Sequence, residues 1–388
     1  MKVVHIFWSL TYGGIETMLV NIANSQVENG AEVHVCIIND LYKEELINSF
    51  SGNVKLHFLH RKFKSKGIGF IFKLNKLLMQ LQPEAIHLHG SRLYTFLWRK
   101  SLTHVASVTL HDLPNGTLRR GGLTGKLFPF LYKSGIVYYI DKVPRVFAIS
   151  EAVKDGLWKN YGVKSTVVCN GILTSNFALR RERKPGNPFR IVMVSRLDHE
   201  KKGQDLLIEA AAKLKGIVHV DLIGEGSSRE YLENLVKKLN AESVVSFLGV
   251  KPQPYIAEHL ADYDLFVQPS RWEGFGLTVA EAMAAKVPVL VSEGQGPAEV
   301  TCGNLYGWTF ENGNADDLAA KIKYIYDNYK EAMDKANSAL SYMQNTYDVS
   351  GTARKYLDLY KLNQNRLGGA ILYKVIVANH TNHWRAAA

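Results

Sequence analysis

Two kinds of hydrophobic pattern alternate along the chain. Short apolar runs rich in β-branched residues predict buried strands, and segments with apolar residues three or four positions apart predict helices. Strands are predicted at residues 3–8, 32–38, 85–89, 105–110, 190–195, 218–223, 244–248, 265–268 and 287–291, and helices at 16–26, 204–214, 229–239, 278–285 and 352–362. This rhythm is typical of βαβ units around a parallel sheet, so the sequence predicts an α/β fold.

A charged segment with two prolines and a glycine, RERKPGNP at 181–188, interrupts the pattern before it restarts. Because 388 residues exceed the size of most single cores, we expect two domains. We predict a first domain at 1–180, a linker at 181–188 and a second domain at 189–345. The helix within 346–364 is expected to cross back over both domains. The tail at 365–388 fits no element, and its final alanines resemble an added sequence.

A glycine-rich turn between a strand and a helix follows residue 268. Such a turn lets the backbone approach a phosphate closely, and the positive end of the helix favours negative charge. We therefore expect the amides of Gly276, Leu277 and Thr278 to hold a phosphate. Glu273 and Glu281 would repel that phosphate, whereas each suits a pair of sugar hydroxyls, one on a transferred sugar and the other on a ribose. The alternative is that both glutamates cap or salt-bridge the helix.

Two cations, Arg196 and Lys202, lie in the segment VSRLDHEKKG at 194–203, where a strand ends and a helix follows. When a nucleoside diphosphate departs, negative charge accumulates on the leaving phosphate, and positioned cations stabilise it. A basic loop in solvent is the alternative. Gly203, directly after Lys202 at the junction, favours the functional interpretation.

Together these motifs resemble the GT-B glycosyltransferases of family 4, also called glycosyltransferase group 1, over roughly residues 1–362. The motifs that carry the resemblance are GGIET (13–17), HLHG (87–90), TLHD (109–112), AIS (148–150), CNGI (169–172), SRLDHEKKG (195–203) and EGFGLTVAE (273–281). The resemblance implies two Rossmann-like domains facing each other across a cleft, with the C-terminal helix crossing back. It also implies a retaining mechanism without a metal ion, and a donor held mainly by the second domain.

The resemblance assigns a role to individual positions of this chain. It makes Arg196 and Lys202 the diphosphate-binding pair, Glu273 the contact of the donor sugar, Glu281 the ribose ligand and His111 a cleft histidine that contacts the sugar. The remaining donor-binding positions are Gly14, Val250, Lys251, Gly274, Phe275, Gly276, Leu277 and Thr278. The catalytic set is therefore His111, Glu273, Arg196 and Lys202.

The chain departs from the family pattern at two places. Ser195 stands where the family often has glycine, and residues 294–299 (GQGPAE) alter a common Gly-Gly-x-x-Glu stretch. Neither change removes a charged ligand, but the second leaves the details of the sugar contact open.

Two motifs raise the possibility of a metal ion, and we expect neither to hold one. Asp262 and Asp264 form a DxD pair, which in another glycosyltransferase class binds a divalent ion. Here the cations at 196 and 202 already supply the counter-charge. His87 and His89 share one strand face, but no set of carboxylates and histidines completes a site around them. We predict no metal and no cofactor, only a nucleotide-sugar substrate, with a UDP-sugar favoured.

Positive charge is concentrated in the first half. The chain carries a net charge of +11, and residues 1–184 contain 25 Lys and Arg against 12 Asp and Glu. This asymmetry indicates an anionic partner for the first half, unless it is simply a solvated basic face. The segment Arg61–Leu81 mixes cations with apolar residues and predicts contact with an anionic membrane surface, unless it is an ordinary helix packed on the core. A second basic and aromatic cluster lies at 118–139.

Three cysteines far apart suit a reducing compartment better than secretion. We therefore expect a cytoplasmic enzyme, or one bound peripherally to the inner membrane face. Its predicted activity is transfer of a sugar to a saccharide or lipid-linked acceptor, in making a surface polysaccharide or glycolipid. The alternatives are a GT-B sugar-nucleotide epimerase and a basic nucleic-acid-binding protein. We expect no nucleic-acid partner, because nucleic-acid binding leaves Glu273 and Glu281 without a purpose.

Overall fold

Two parallel sheets form the two halves of the protein. In a computed structural model, the described residues are 1–11, 13–113, 140, 142–182 and 184–362. The first sheet has the strand order β3-β2-β1-β4-β5-β6-β7 and the second has the order β10-β9-β8-β11-β12-β13. The strands are β1 (Lys2–Phe7), β2 (Glu32–Asn39), β3 (Lys55–Arg61), β4 (Ala85–Leu88), β5 (Ala106–Leu110), β6 (Arg145–Ala148), β7 (Thr166–Val167), β8 (Phe189–Val194), β9 (Val218–Ile223), β10 (Val245–Gly249), β11 (Leu265–Gln268), β12 (Val289–Ser292) and β13 (Trp308–Phe310).

The central strands are apolar because both faces of each sheet are covered. β1, β4 and β5 are buried almost throughout, as are β11 and β12. Every predicted strand exists, with its ends within about two residues of the prediction. The predicted fold class, two Rossmann-like α/β domains, is confirmed.

Helices cover the two sheets and connect their strands. They are α1 (Gly14–Glu28), α2 (Glu44–Asn48), α3 (Gly69–Leu81), α4 (Lys100–His104), α5 (Glu151–Tyr161), α6 (His199–Lys202), α7 (Gln204–Lys213), α8 (Arg229–Lys238), α9 (Gln253–His259), α10 (Leu277–Ala284), α11 (Gly296–Val300), α12 (Ala315–Asp327), α13 (Tyr329–Thr346) and α14 (Val349–Lys361). The five helices predicted from periodicity correspond to α1, α7, α8, α10 and α14.

The last helix crosses from the second half to the first. α13 packs against α10 of the second half, while α14 packs against α1 of the first. Tyr356 and Tyr360 of α14 are buried in a cluster with Val3, Met18 and Phe147. The predicted crossing of the C-terminal helix is therefore confirmed, and its aromatic face packs into the core of the first half.

The sequence of the segment Arg61–Leu81 allowed two interpretations, contact with an anionic membrane surface or an ordinary helix packed on the core. The structure has features of each. In α3, Phe70, Leu74 and Leu78 are buried in the core, as in an ordinary helix. Phe72 on the same helix is 59% exposed. Part of the apolar face is thus buried in the core, and contact of the exposed part with a membrane stays a prediction.

Several predictions concern residues that the structure does not describe, namely the basic cluster at 118–139 and the tail at 365–388. Among the helices of the described segments, none is both long and apolar enough to cross a membrane.

Arg180 ties the chain to the second half before the charged segment at 181–188 begins. It is 2% exposed, its Nε donates to the Tyr329 hydroxyl at 2.9 Å, and its Nη1 donates to the Ala261 carbonyl at 3.0 Å. Its Nη2 forms an ion pair with the fully buried carboxylate of Asp264. That carboxylate also accepts the backbone N–H of Arg190 at 2.8 Å. The predicted domain limits at 180 and 189 stay a prediction.

We expect Arg180→Ala to lower the free energy of unfolding by about 3–5 kcal/mol, because it deprives a buried carboxylate of its guanidinium. Urea denaturation measures the loss. The matched control is Lys323→Ala, which breaks the exposed pair with Asp327 and should cost at most about 1 kcal/mol. Equal losses in the two variants would contradict the prediction.

Candidate donor-binding site

The loop at 269–276, here called the donor loop, joins β11 to α10. Its last residue, Gly276, has a φ of 94°, a left-handed conformation that favours glycine. A Cβ there would lie 2.8 Å from Cγ of Pro297. Leu277 and Thr278 then begin α10, where the first backbone N–H groups have no partner inside the helix. The predicted phosphate-binding amides therefore do lie in the first turn of a helix.

The donor loop also lies against the first half of the protein. A Cβ on Gly274 would be 3.0 Å from the carbonyl oxygen of His111 and 3.3 Å from a methyl group of Val153. A Cβ on Gly14, the first residue of α1, would be 2.9 Å from a methyl group of Leu277. Four of the predicted positions, 14, 111, 274 and 277, thus meet at the boundary between the two halves.

Lys202 and Glu273 form an ion pair. Their side chains are 16% and 19% exposed, so solvent screens the pair only partly. The two loops that carry them are in backbone contact, because a Cβ on Gly203 would lie 2.0 Å from the carbonyl oxygen of Pro269. The structure therefore brings the predicted phosphate cation and the predicted sugar carboxylate together.

Arg196 follows β8 by two positions, at the same edge of the second sheet as the donor loop, because parallel strands end at one edge. Its side chain is exposed, and it forms no hydrogen bond or ion pair with any residue that the structure describes. Its backbone is fixed, since Nε2 of Gln204 donates to the Arg196 carbonyl at 2.8 Å and to the Ser195 hydroxyl at 2.9 Å. The serine that departs from the family pattern thus serves to hold this loop.

Glu281 is buried in α10, and its Oε1 accepts a hydrogen bond of 2.9 Å from Nε2 of Gln253. Gln253 begins α9, two positions after the predicted base-contacting residues Val250 and Lys251. Val250 is 53% exposed, and the Lys251 ammonium lies 5.1 Å from the centre of the Tyr255 ring. The predicted ribose ligand and the predicted base segment are therefore linked through one glutamine.

Burial raises the pKa of Glu281 to about 7, and the hydrogen bond from Gln253 opposes the shift. Burial lowers the pKa of His111 to about 4, against the opposing charge of Asp112. At neutral pH the His111 ring is therefore uncharged. His111 Nε2 lies 3.4 Å from Nδ1 of His89.

Two carboxylates that join the halves were not predicted. Asp112 forms an ion pair with Lys201 and accepts a hydrogen bond from the indole of Trp272. Glu299 accepts the backbone N–H groups of Glu151 at 2.9 Å and Ala152 at 2.6 Å. Both lie in motifs that the sequence singled out, TLHD and GQGPAE, but a partner about 90 or 150 positions away cannot be read from a motif.

The two motifs considered for metal binding have other partners here. Asp264 is engaged by Arg180 and by the backbone of Arg190. His5 joins His87 and His89, and one ring nitrogen of each lies within 4.8 Å of the others. Every nitrogen of these three rings already has a hydrogen-bonding partner in another side chain. The absence of a metal in the site stays a prediction.

Comparison with protein families decides the class. Residues 175–341 match the family described as glycosyl transferases group 1, and residues 12–176 match glycosyltransferase family 4. The chain belongs to the family 4, group 1 glycosyltransferases. The predicted resemblance is confirmed. All the predicted site residues lie within the residues that these two families match.

The chain is similar in sequence to other glycosyltransferases. The glycosyltransferase is 33% identical to the amylovoran biosynthesis glycosyltransferase AmsK of Erwinia amylovora over 195 residues, 46% of this chain and 48% of that one. This match spans about half the length of that relative. An uncharacterised glycosyltransferase of Methanocaldococcus jannaschii is 25% identical over 95% of this chain and its own full length.

Solved structures share the two-domain fold. HepE of Anabaena, in complex with UDP and glucose, superposes with a TM-score of 0.74 at 19% identity, covering 93% of this chain and all of that one. Sucrose-phosphate synthase of Thermosynechococcus elongatus has a TM-score of 0.76 at 16% identity, with 93% and 98% covered. At these identities the likeness shows the GT-B fold alone.

The raised pKa of Glu281 predicts a pH-dependent stability. Its folded pKa of about 7 exceeds the ordinary 4.5, so the folded protein holds a proton that the unfolded chain has released. This proton stabilises the folded state below pH 4.5. As pH rises from 4.5 to 7, the free energy of unfolding therefore falls by about 3 kcal/mol. Glutamine cannot titrate. Between pH 4.5 and pH 8, we therefore expect the free energy of unfolding of Glu281→Gln to rise by about 3 kcal/mol relative to that of the parent. Urea denaturation without nucleotide measures both.

The control for this measurement is Glu230→Gln, which changes an exposed carboxylate on α8. It should follow the parent protein at every pH. If the difference between Glu281→Gln and the parent does not vary with pH, the buried carboxyl is not protonated in the folded state.

Proposed function

We propose that this glycosyltransferase transfers a sugar from a UDP-sugar to a saccharide or lipid-linked acceptor, with retention of configuration and without a metal ion. The product belongs to a surface polysaccharide or a glycolipid. The observation that carries the proposal is the Lys202–Glu273 ion pair beside the first turn of α10. The proposal is also supported by relatives named for amylovoran biosynthesis and by a fold neighbour solved with UDP and glucose.

The ion pair is suited to exchange partners when the donor binds. A diphosphate carries more negative charge than one carboxylate, so it competes for the Lys202 ammonium. Glu273 is then free to accept hydrogen bonds from hydroxyls of the donor sugar. The exposed guanidinium of Arg196 supplies the second positive charge, and the amides of α10 add the positive end of a helix.

These groups stabilise the departing diphosphate. The bond between the anomeric carbon and the phosphate oxygen breaks, and the acceptor oxygen bonds to the same carbon from the same face. The leaving phosphate oxygen takes the proton from the acceptor hydroxyl, so no protein nucleophile is needed. Charge that accumulates in the transition state is where fixed cations lower the barrier most.

The nucleoside end of the donor lies along the second half in this proposal. Glu281 accepts hydrogen bonds from the ribose, and the base lies against Val250 and Lys251. The link through Gln253 supports this arrangement, because it holds the ribose ligand and the base segment in one unit.

We expect Glu273→Ala to lower transfer about 10²- to 10³-fold while UDP still binds, because the carboxylate contacts the sugar and not the diphosphate. UDP affinity should stay equal or rise, since the variant frees Lys202 from its ion pair. Initial rates with a panel of nucleotide sugars and calorimetric titration with UDP measure the two effects.

The control for this test is Glu230→Ala, which removes an exposed carboxylate of the same half. Unchanged turnover of Glu273→Ala would reject the role of the carboxylate. Reactions with donor alone detect an epimerised product, which would favour an epimerase. An inverted anomeric configuration by NMR, or loss of activity in EDTA, would reject the retaining metal-independent mechanism.

A basic and aromatic surface on the first half supports contact with a membrane at its cytoplasmic face. We define this surface by the exposed apolar residues Ile68, Phe72 and Trp98 and the exposed cations Lys66, Lys76, Arg99 and Lys100. The rings of Phe72 and Trp98 touch edge to face, with centres 4.6 Å apart. Aromatic rings at the lipid boundary combined with nearby lysines favour an anionic bilayer.

We expect the double variant Phe72→Ser with Trp98→Ser to lose binding to vesicles that contain anionic lipid, by at least about tenfold, because it removes the apolar part of this surface. Flotation at low salt measures the bound fraction. Trp158→Ser is the matched control, since Trp158 is equally exposed on α5 of the same half. Equal binding by the double variant and this control would reject the membrane surface.

A further inference from the structure

Four side chains form a hydrogen-bonded row that is buried along most of its length and ends at the half-buried His111. We call Gln26, His5, His89 and His111 the histidine row. Oε1 of Gln26 lies 2.7 Å from Nε2 of His5, and Nδ1 of His5 lies 3.1 Å from Nε2 of His89. Nδ1 of His89 lies 3.4 Å from Nε2 of His111. The row runs from α1 through β1 and the end of β4 to the end of β5.

The row fixes which nitrogen of each ring carries the proton. A carboxamide oxygen only accepts, so Nε2 of His5 donates to Gln26. In a neutral ring the other nitrogen then accepts, and Nδ1 of His5 accepts from Nε2 of His89. The same step repeated gives a protonated Nε2 and a bare Nδ1 on His111.

All three rings are neutral at physiological pH. Burial lowers the pKa of His5 to about 4 and that of His111 to about 4. It lowers the pKa of His89 well below its ordinary value, and the neighbouring His87, His5 and His111 add to the shift. A charged ring would donate from both nitrogens and break the order of the row.

Nδ1 of His111 is buried and has no hydrogen-bond partner within the described residues. A buried acceptor without a partner costs about 1–3 kcal/mol, and a hydrogen bond from a ligand would remove that cost. The donor loop lies at this place, because Gly274 lies against the His111 carbonyl.

We propose that Gln26, His5 and His89 are positioning residues that hold His111 in the Nε2-protonated form, so that its bare Nδ1 accepts a hydrogen bond from a substrate hydroxyl. The inference rests on the proposed function, which places the sugar beside His111. His111 is the group that contacts substrate, and the other three act only through it.

A second set of contacts holds the row in place from the crossing helix. His87 stacks on His89 with ring centres 4.4 Å apart and planes at 12°. Its Nδ1 bonds to the Tyr360 hydroxyl, and its Nε2 lies 2.7 Å from the hydroxyl oxygen of Thr109. Each ring nitrogen of His5, His87 and His89 already has a hydrogen-bonding partner, so hydrogen bonding accounts for the cluster without a metal ion.

The first test reads the protonation pattern directly. In protein labelled with ¹⁵N-histidine and assigned by single variants, we expect His5, His89 and His111 to show a protonated Nε2 and a bare Nδ1. A protonated Nδ1 on His111, or bound zinc that changes the shifts of His5, His87 and His89, would overturn the proposal. This reading does not depend on transfer activity, so it separates failure of the row from failure of the proposed function.

The second test is kinetic and uses Gln26→Leu, which removes the acceptor that sets the order. We expect the His111 signal to become a mixture of both forms and kcat to fall about 10- to 100-fold, with little change in donor KM or in UDP affinity. A mixed His111 signal with unchanged kcat would overturn the role.

The matched control is His34→Phe. Nδ1 of His34 lies 2.8 Å from Nε2 of His57, and the two rings stack in the same sheet but outside the row. This control loses a comparable pair of ring contacts, and we expect the His111 signal and kcat to stay as in the parent. If it lowers kcat as much as Gln26→Leu does, the loss reflects damage to the sheet, and the positioning role is rejected.

Discussion

The close approach of backbone to backbone around the donor loop is the constraint on which the site depends. On one side the loop meets Gly203 at the carbonyl of Pro269, and on another Gly274 meets the carbonyl of His111. At its end Gly276 turns left-handed against Pro297. No side chain fits at these contacts without movement, so the donor loop, the segment 195–203 that carries Arg196 and Lys202, and the first half are held in one geometry. The positions of the side chains on these segments are therefore fixed by the backbone contacts.

Electrostatics then explains why this arrangement is stable without a donor. Lys202 pairs with Glu273, and Lys201 pairs with Asp112 of the first half. Glu299 accepts hydrogen bonds from two N–H groups at the start of α5. The positive end of that helix also stabilises the negative charge of the carboxylate. Lys201 and Lys202 thus each have a counter-charge, whereas the exposed Arg196 has none among the described residues. In the proposed reaction the diphosphate displaces Glu273 from Lys202. Its binding therefore breaks one ion pair and forms contacts with two cations, Lys202 and Arg196.

Much of the fold could be predicted because both faces of each sheet are covered. An apolar run then identifies a strand without further context, as at 218–223 and 265–268, where the predicted limits equal the observed ones. The charged residues of the candidate site could be named from the sequence because their motifs are local, and their roles stay predictions. The pairs that join the halves could not, because Asp112 and Lys201 are 89 positions apart and Glu299 and Ala152 are 147 apart. The buried face of α3 shows a different limit, since an amphipathic pattern does not say whether its apolar side faces a core or a membrane.

The histidine row also depends on contacts between distant parts of the chain. His5 and His89 are 84 positions apart and meet only because β1 and β4 are neighbours in the first sheet. Tyr360 reaches His87 from a helix 273 positions later, so the hydroxyl that orients this ring arrives only after α14 has crossed back. The order of protons at the cleft therefore depends on the completed fold and not on any local motif. A crossing helix that closes the core of the first half, and at the same time orients rings behind the cleft histidine, couples the stability of that half to the chemistry of its site.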